Sequence, residues 1–260
     1  MTKITLQGIC FDEKSSYLQG PALAPPLIRK AYHNDSANYF AENGLEILPE
    51  IWSDKGDFKI SDYFEIEKIT TKNLEDGLPM ITLGGDHSIT YPILKAIFAK
   101  HGSVAILHID AHADLYHAFE GDLYSHACPF ARIMENGLAT RLVQIGIRTF
   151  STHQREQAKK FGVESIEMKD FNPLQLPEFN NPIYLSLDID ALDPAFAPGV
   201  SHHEPGGLST REVLHIIQSI NVPIIGADIV EYNPTRDVNG MTAMVSAKIL
   251  KEIAAKMLEI

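Results

Sequence analysis

Apolar positions along this chain follow two rhythms. Short, nearly unbroken apolar runs fall at 4–11, 78–83, 103–110, 141–147, 183–190 and 224–230. Such runs predict strands buried on both faces. Between them, apolar residues recur every three or four positions at 66–74, 89–101, 129–136, 154–161, 210–220 and 241–260, the spacing of an amphipathic helix. Pro25 and Pro26 open a further helix over 27–32, because proline is tolerated in a first helical turn. Residues 163–168 predict one more short strand. Segments 12–26 and 172–182, rich in turn-forming residues, read as connections, whereas 34–60 mixes turns and polar pieces and predicts no element. Strands alternating with helices predict an α/β fold. Its expected form is a three-layer α/β/α arrangement around a mostly parallel central sheet, as one domain over residues 1–260.

Bulk properties narrow the function without choosing it. The chain has 260 residues, 45% of them hydrophobic and 22% charged, ample for a sizeable core. A formal net charge of -12 argues against nucleic acid or an anionic membrane as partner and is compatible with a small cationic molecule. Two cysteines, Cys10 and Cys128, suggest no disulfide framework. The start lacks the long apolar core of a secretion signal, and no apolar run reaches the roughly 18 residues of a membrane span. A cytoplasmic location is the expectation.

The candidate chemistry sits where the apolar strands end. The run at 103–110 finishes in Asp110, His112 and Asp114, which share one face if the backbone stays extended. The run at 183–190 finishes in Asp188 and Asp190, again two apart. His87 follows a Gly84-Gly85 turn, Arg148 closes another strand, and Glu231 closes the last. In a parallel sheet these ends share one edge, where α/β folds bind ligands. Four aspartates crowd together there only if cations neutralise them. Two histidines with four aspartates and no thiolate suit a pair of hard divalent ions such as Mn²⁺. Two such ions deprotonate a shared water, so the residues alone point to a binuclear metallohydrolase.

Three motifs then carry a resemblance: Gly84-Gly85-Asp86-His87-Ser88, Asp110-Ala-His112-Ala-Asp114 and Ser186-Leu-Asp188-Ile-Asp190-Ala-Leu-Asp193-Pro194. With them the chain resembles the ureohydrolases, the arginase and agmatinase superfamily, along nearly its whole length. The segments Phe119-Glu120-Gly121 and Val230-Glu231-Tyr232-Asn233-Pro234, with 130–135 and 199–207, look most like the plant arginase branch and its bacterial relatives. The resemblance implies two Mn²⁺ per subunit in an arginase-like fold. His87, Asp110, Asp114 and Asp188 would hold one ion; Asp110, His112, Asp188 and Asp190 would hold the other. Asp114 would also pass a proton to the departing amine. His126 matches the family's proton-shuttle histidine, and Glu231 matches the glutamate that pairs with the guanidinium, so both contact substrate. The products would be urea and a primary amine, and the expected assembly is a homotrimer or hexamer.

Substrate choice rests on what is missing. Animal-type arginases read the α-amino and α-carboxylate groups with polar and acidic residues in two loops. Here the matching places hold Tyr116 and Thr149, Phe150 and Ser151. That departure favours agmatine, giving putrescine, over arginine, giving ornithine, although the plant-like branch shares a similar loop. The reading of another class is a metal-binding relative without catalysis, whose mark would be a lost ligand or a lost Glu231. Bland roles are expected elsewhere. Asp193 reads as a turn-former, Arg148 as an ion-pair partner, Cys128 and His108 as core, Asp86 as support for the His87 turn. His202 and His203 read as loop residues near the site.

Overall fold

The structure is a computed structural model that describes residues 3–259. Eight strands form one sheet: β1 (Ile4–Cys10), β2 (Trp52–Lys59), β3 (Met80–Leu83), β4 (Val104–Ile109), β5 (Ala139–Ile147), β6 (Glu164–Glu167), β7 (Ile183–Asp188) and β8 (Ile224–Val230). Their order is β2-β1-β3-β8-β7-β4-β5-β6, and every pairing is parallel. Seven helices connect them among the described residues: α1 (Ala24–Tyr32), α2 (Glu65–Asn73), α3 (Thr90–His101), α4 (Pro129–Glu135), α5 (Thr152–Phe161), α6 (Thr210–Ser219) and α7 (Met241–Glu259).

The inner strands split their apolar residues between two cores. Ala105, Leu107 and Ile109 of β4 join α1, α6 and α7 on one face. Val104 and Ile106 join α2, α3, α4 and α5 on the other. The sheet is therefore the middle of three layers, and its inner strands are mostly apolar because both faces are covered. Capping is local and legible. Ser209 accepts the N–H of Glu212 while the Glu212 carboxylate takes the Ser209 N–H, and Ser151 and Gln154 do the same at α5.

Segment 34–60, for which the sequence predicts nothing, contains β2. It lies at the sheet edge and pairs only with β1, so its residues Trp52–Lys59 are mostly half-buried or exposed and lack the apolar run of the inner strands. The strands expected at 103–110 and 183–190 end earlier, at Ile109 and Asp188, which changes how the site is assembled.

Candidate metal centre

β3, β8, β7 and β4 are neighbours in mid-sheet. Their carboxyl ends deliver His87, Glu231, Asp188 and Asp110 to one crevice, beside which β3 and β4 are joined by a crossover past two strands. Backbone fit makes this edge tight. Gly85 lies against the end of β1, where an added Cβ would stand 1.6 Å from the Phe11 carbonyl oxygen. Its own carbonyl accepts the Glu231 N–H at 2.9 Å. Gly146, at φ +103, lets the Asp110 backbone approach β5.

The extended spacing expected for Asp110, His112 and Asp114 does not hold. After Ile109 the chain turns, and Asp110 Oδ1 accepts the His112 N–H at 2.6 Å. Asp114 takes a left-handed backbone, φ +49, as does Glu231 at φ +63. Non-glycine residues rarely stand there, and such strain persists where the surroundings fix it. Asp190 likewise leaves the strand pattern: it lies in a single 3-10 turn, Ile189–Ala191, with its N–H on Asp188 Oδ1 at 2.7 Å. Turns bring these side chains together, not the pleat of a strand.

The resulting cluster is short of positive charge. His87 Nδ1 lies 3.2 Å from Asp110 Oδ2, 3.1 Å from Asp114 Oδ2 and 3.2 Å from Asp188 Oδ2. All four side chains are buried or nearly so. On the far side of the ring, His87 Nε2 is 2.9 Å from Ser186 Oγ. Ser186 donates its own proton to Asp228 Oδ1 at 2.7 Å, so it accepts from Nε2–H. In the neutral ring the lone pair of His87 is therefore on Nδ1, which among the described residues has no hydrogen-bond partner and faces three carboxylate oxygens. Lone pairs turned on one another in a dry site repel, and a cation at their centre converts that repulsion into coordination. Beside it, His112 Nδ1 is 3.1 Å from Asp190 Oδ2 and 3.5 Å from Asp110 Oδ1. Asp110, His112 and Asp190 hold possible ligand atoms within 4.8 Å of one another. The donor set fits divalent cations. Protons stand in for them electrostatically: burial, Asp190 and Asp110 push the Asp188 carboxyl well up, and the three carboxylates hold the His87 imidazole up against burial.

Glu231 and His126 form the opposite wall. Glu231 Oε1 accepts from His126 Nδ1 at 2.9 Å and from the His87 N–H at 2.9 Å. Among the described residues Oε2 takes no protein hydrogen bond. Burial pulls the His126 pKa down, but Glu231 and then Asp86 and Asp114 outweigh it, leaving it at about 9. His126 Nε2 meets the Ser16 N–H at 3.1 Å and Ser16 Oγ at 2.7 Å. The neutral ring accepts from the amide and the protonated ring donates to the hydroxyl, so Nε2 has a partner in either state.

These groups line a cavity of about 220 Å³ whose outer wall includes Ser16, Tyr116, Phe119, Thr149, Gln154 and His202. Among the described residues, no lysine or arginine lines it. The expected site residues thus converge: His87, Asp110, His112, Asp114, Asp188, Asp190, His126 and Glu231. His202 stands on the cavity wall, its ring 5.6 Å from those of His112 and His126, whereas His203 bonds the Pro198 carbonyl outside it. Asp193 is a turn-former, accepting from Ala195, Gly206 and Gly207. Cys128 is fully buried, and burial pushes its thiol up to about 12. Arg148 departs from its expected role. Its guanidinium donates to the carbonyls of Glu204, Asp190, Ala191 and Leu192, bracing the Asp190 turn with no carboxylate partner among the described residues. Asp86 supports more than the His87 turn. It accepts from Ser88 and also from Lys14 N–H and Ser15 Oγ, clasping the loop that carries Ser16.

Sequence reasoning assigned no role to Ser16, Gln154 or Asp228, nor to Ser186 within the third motif. Asp228 had a signal, an ionisable residue in mid-run of Ile224–Val230; Ser16 and Gln154 had none.

Comparison with known proteins agrees with this geometry. The model of the Arginase family matches residues 2–255. The chain is 47% identical to Arginase 1, mitochondrial, of Arabidopsis thaliana, over 97% of this chain and 80% of that protein. It is 35% identical to Agmatinase, mitochondrial, of Gallus gallus, over 95% of this chain and 78% of that one. The solved arginase from Medicago truncatula superposes with a TM-score of 0.90 at 43% identity, covering 98% of this chain and 87% of that one. The chain belongs to the arginase family. It is a hydrolase of the arginase and agmatinase type on an arginase-like α/β fold.

Proposed function

We propose that this protein hydrolyses the guanidino group of arginine to urea and ornithine with two divalent cations, manganese in the first instance. The observation that carries the metal reading is the bare Nδ1 lone pair of buried His87 facing Asp110, Asp114 and Asp188. His87, Asp110, Asp114 and Asp188 would hold one cation, and Asp110, His112, Asp188 and Asp190 the other. Asp110 suits a shared role because its Oδ2 faces His87 and its Oδ1 faces His112. When bound, the cations supply a water acidic enough to act as nucleophile at neutral pH.

The chain's own residues do the rest. Glu231 pairs its free oxygen with the planar guanidinium and sets its carbon toward the aspartates. Asp114, strained and at the cavity wall, holds a proton for the departing amine. His126 moves protons between the site and Ser16 through Nε2.

The choice of arginine revises the expectation of agmatine from the missing acidic loop residues. Greater identity to a plant arginase than to an agmatinase supports arginine. Agmatine is the second reading, favoured by a cavity with no lysine or arginine to receive a substrate carboxylate. Urea release from Mn²⁺-loaded protein, with arginine and agmatine side by side, tests the choice: urea from agmatine alone refutes it. No urea from either, with metal bound, favours a non-catalytic relative. One sheet and a family match from 2 to 255 support a single domain. A homotrimer or hexamer and a cytoplasmic location complete the proposal, checked by light scattering and cell fractionation. No helix of the described residues is long and apolar enough to cross a membrane.

A further inference from the structure

One layer beneath the site, adjacent strands from β3 to the edge strand β6 each carry a polar residue at the same level. Cross-strand register aligns Thr82, Asp228, Ser186, His108, Gln144 and Ser165 from β3 to β6. A buried polar row is tolerated only if its members satisfy one another. One arm of this row, Asp228 with Ser186, orients His87. The other arm runs from Ser165 to Asp110. Ser165 Oγ donates to Gln144 Oε1 at 3.0 Å. Gln144 Nε2 donates to the Ala113 carbonyl at 2.7 Å, which settles which end of the amide is nitrogen. The same nitrogen reaches His108 Nδ1 at 3.0 Å, so Nδ1 accepts and the ring proton sits on Nε2. His108 Nε2–H then donates to Asp110 Oδ2 at 2.7 Å. The ring is fully buried and stacked on Phe130, with centroids 3.9 Å apart, so it stays where Gln144 aims it. His108 lies close enough to His87 and Asp110 to share a metal with them, but the nitrogen facing them is a donor and has no lone pair to give.

We propose that His108, aimed by Gln144, is a positioning residue that locks the Asp110 carboxylate in its two-sided orientation. The inference rests on the two-cation reading above. Asp110 Oδ1 is pinned by the His112 N–H and Oδ2 by His108 Nε2–H. With both donors in place the carboxylate plane is fixed, one oxygen toward His87 and the other toward His112. Without His108, Oδ2 loses its anchor, the carboxylate turns, and one half of the site loses its share of Asp110.

Calorimetry of Mn²⁺ binding to chelator-treated protein tests this, with Mn²⁺ electron paramagnetic resonance to read coupling between the two ions. Wild type takes up two coupled equivalents. His108→Phe keeps the stack on Phe130 but removes the donor; Gln144→Leu leaves the donor but frees its tautomer. Each weakens Mn²⁺ binding about 10- to 100-fold and diminishes the coupled signal. His108→Gln keeps an N–H in reach of Asp110 and restores much of both. Melting of the metal-free variants separates packing from positioning: a lower melting temperature with unchanged Mn²⁺ affinity and coupling overturns the proposal. If His108→Phe does not fold, Gln144→Leu and His108→Gln decide. A wild-type protein that takes up no Mn²⁺ overturns the two-cation reading itself. Two coupled equivalents in wild type and variants alike overturn only the role of His108.

Discussion

Glu231→Gln isolates the charge that reads the substrate. The side chain is buried, and its Oε1 already accepts from the His87 N–H and from His126 Nδ1, both at 2.9 Å. A glutamine oxygen takes over both bonds, so the turn at His87 and the position of His126 survive. The amide nitrogen then occupies the place of the free carboxylate oxygen. It brings two N–H donors against a guanidinium that itself only donates. A buried ion pair broken by removing one partner costs about 3 to 5 kcal/mol. At about 1.4 kcal/mol per power of ten, kcat/KM falls by roughly two to four powers of ten. The six His and Asp side chains of the candidate centre are untouched, so metal content stays close to wild type. Urea release under saturating Mn²⁺, with metal content measured on the same preparation, reads the effect. A loss smaller than about tenfold, with full metal content, would refute the pairing of Glu231 with guanidinium.

Other perturbations probe neighbouring parts of the argument. His126→Ala slows urea release without abolishing it, because Asp114 and solvent still move protons; an unchanged rate refutes the shuttle. The raised pKa of His126, about 9, means its charged form stabilises the metal-free fold fully below the ordinary histidine value near 6.5. That contribution fades as pH rises through about 9, so denaturant unfolding should show His126→Ala costing more at pH 6 than at pH 10. Chelation should lower the melting temperature, since the aspartates lose their counterions. Mn²⁺ at about a hundred times its Kd restores about 2.7 kcal/mol, or roughly 5 to 10 °C for a chain this long, and no shift argues against a metal site. Gly85→Ala should abolish soluble protein or cost more than about 3 kcal/mol by denaturant titration, because the new Cβ meets the Phe11 backbone, which has no flexible end to give way.

How much of this was legible follows from which forces act locally. β3, β4, β7 and β8 are buried on both faces and must be apolar, so hydrophobic runs revealed them and their shared edge. Motif chemistry then named His87, the aspartates and Glu231. β2 was hidden because an edge strand half open to water needs no apolar run. The paths by which Asp110, His112, Asp114 and Asp190 converge were hidden for a different reason. Period-two alternation describes a strand, whereas these residues occupy turns held by Asx-type bonds and left-handed backbone. His108 read as core because it sits inside an apolar run; only cross-strand register shows that it belongs to a polar row touching Asp110.

Charge counting reconciles an acidic cavity with the proposed substrate, arginine, which carries a carboxylate. Empty of cations, the site gathers Asp110, Asp114, Asp188, Asp190 and Glu231 in one small volume, and an arginine carboxylate would be repelled at its entrance. Two divalent ions carry formal charges that cancel the four aspartates, with His87 and His112 neutral ligands. What remains is Glu231, whose Oε1 is shared with the protonated His126 while its other oxygen is left to meet the guanidinium. The outer wall then presents hydroxyls, an amide and the His202 imidazole, groups able to hydrogen-bond a carboxylate without a cation. The absence of lysine and arginine therefore weighs against arginine only in the metal-free cavity. In the loaded one, the cations themselves remove the repulsion, and the plant arginase likeness and the cavity chemistry point the same way.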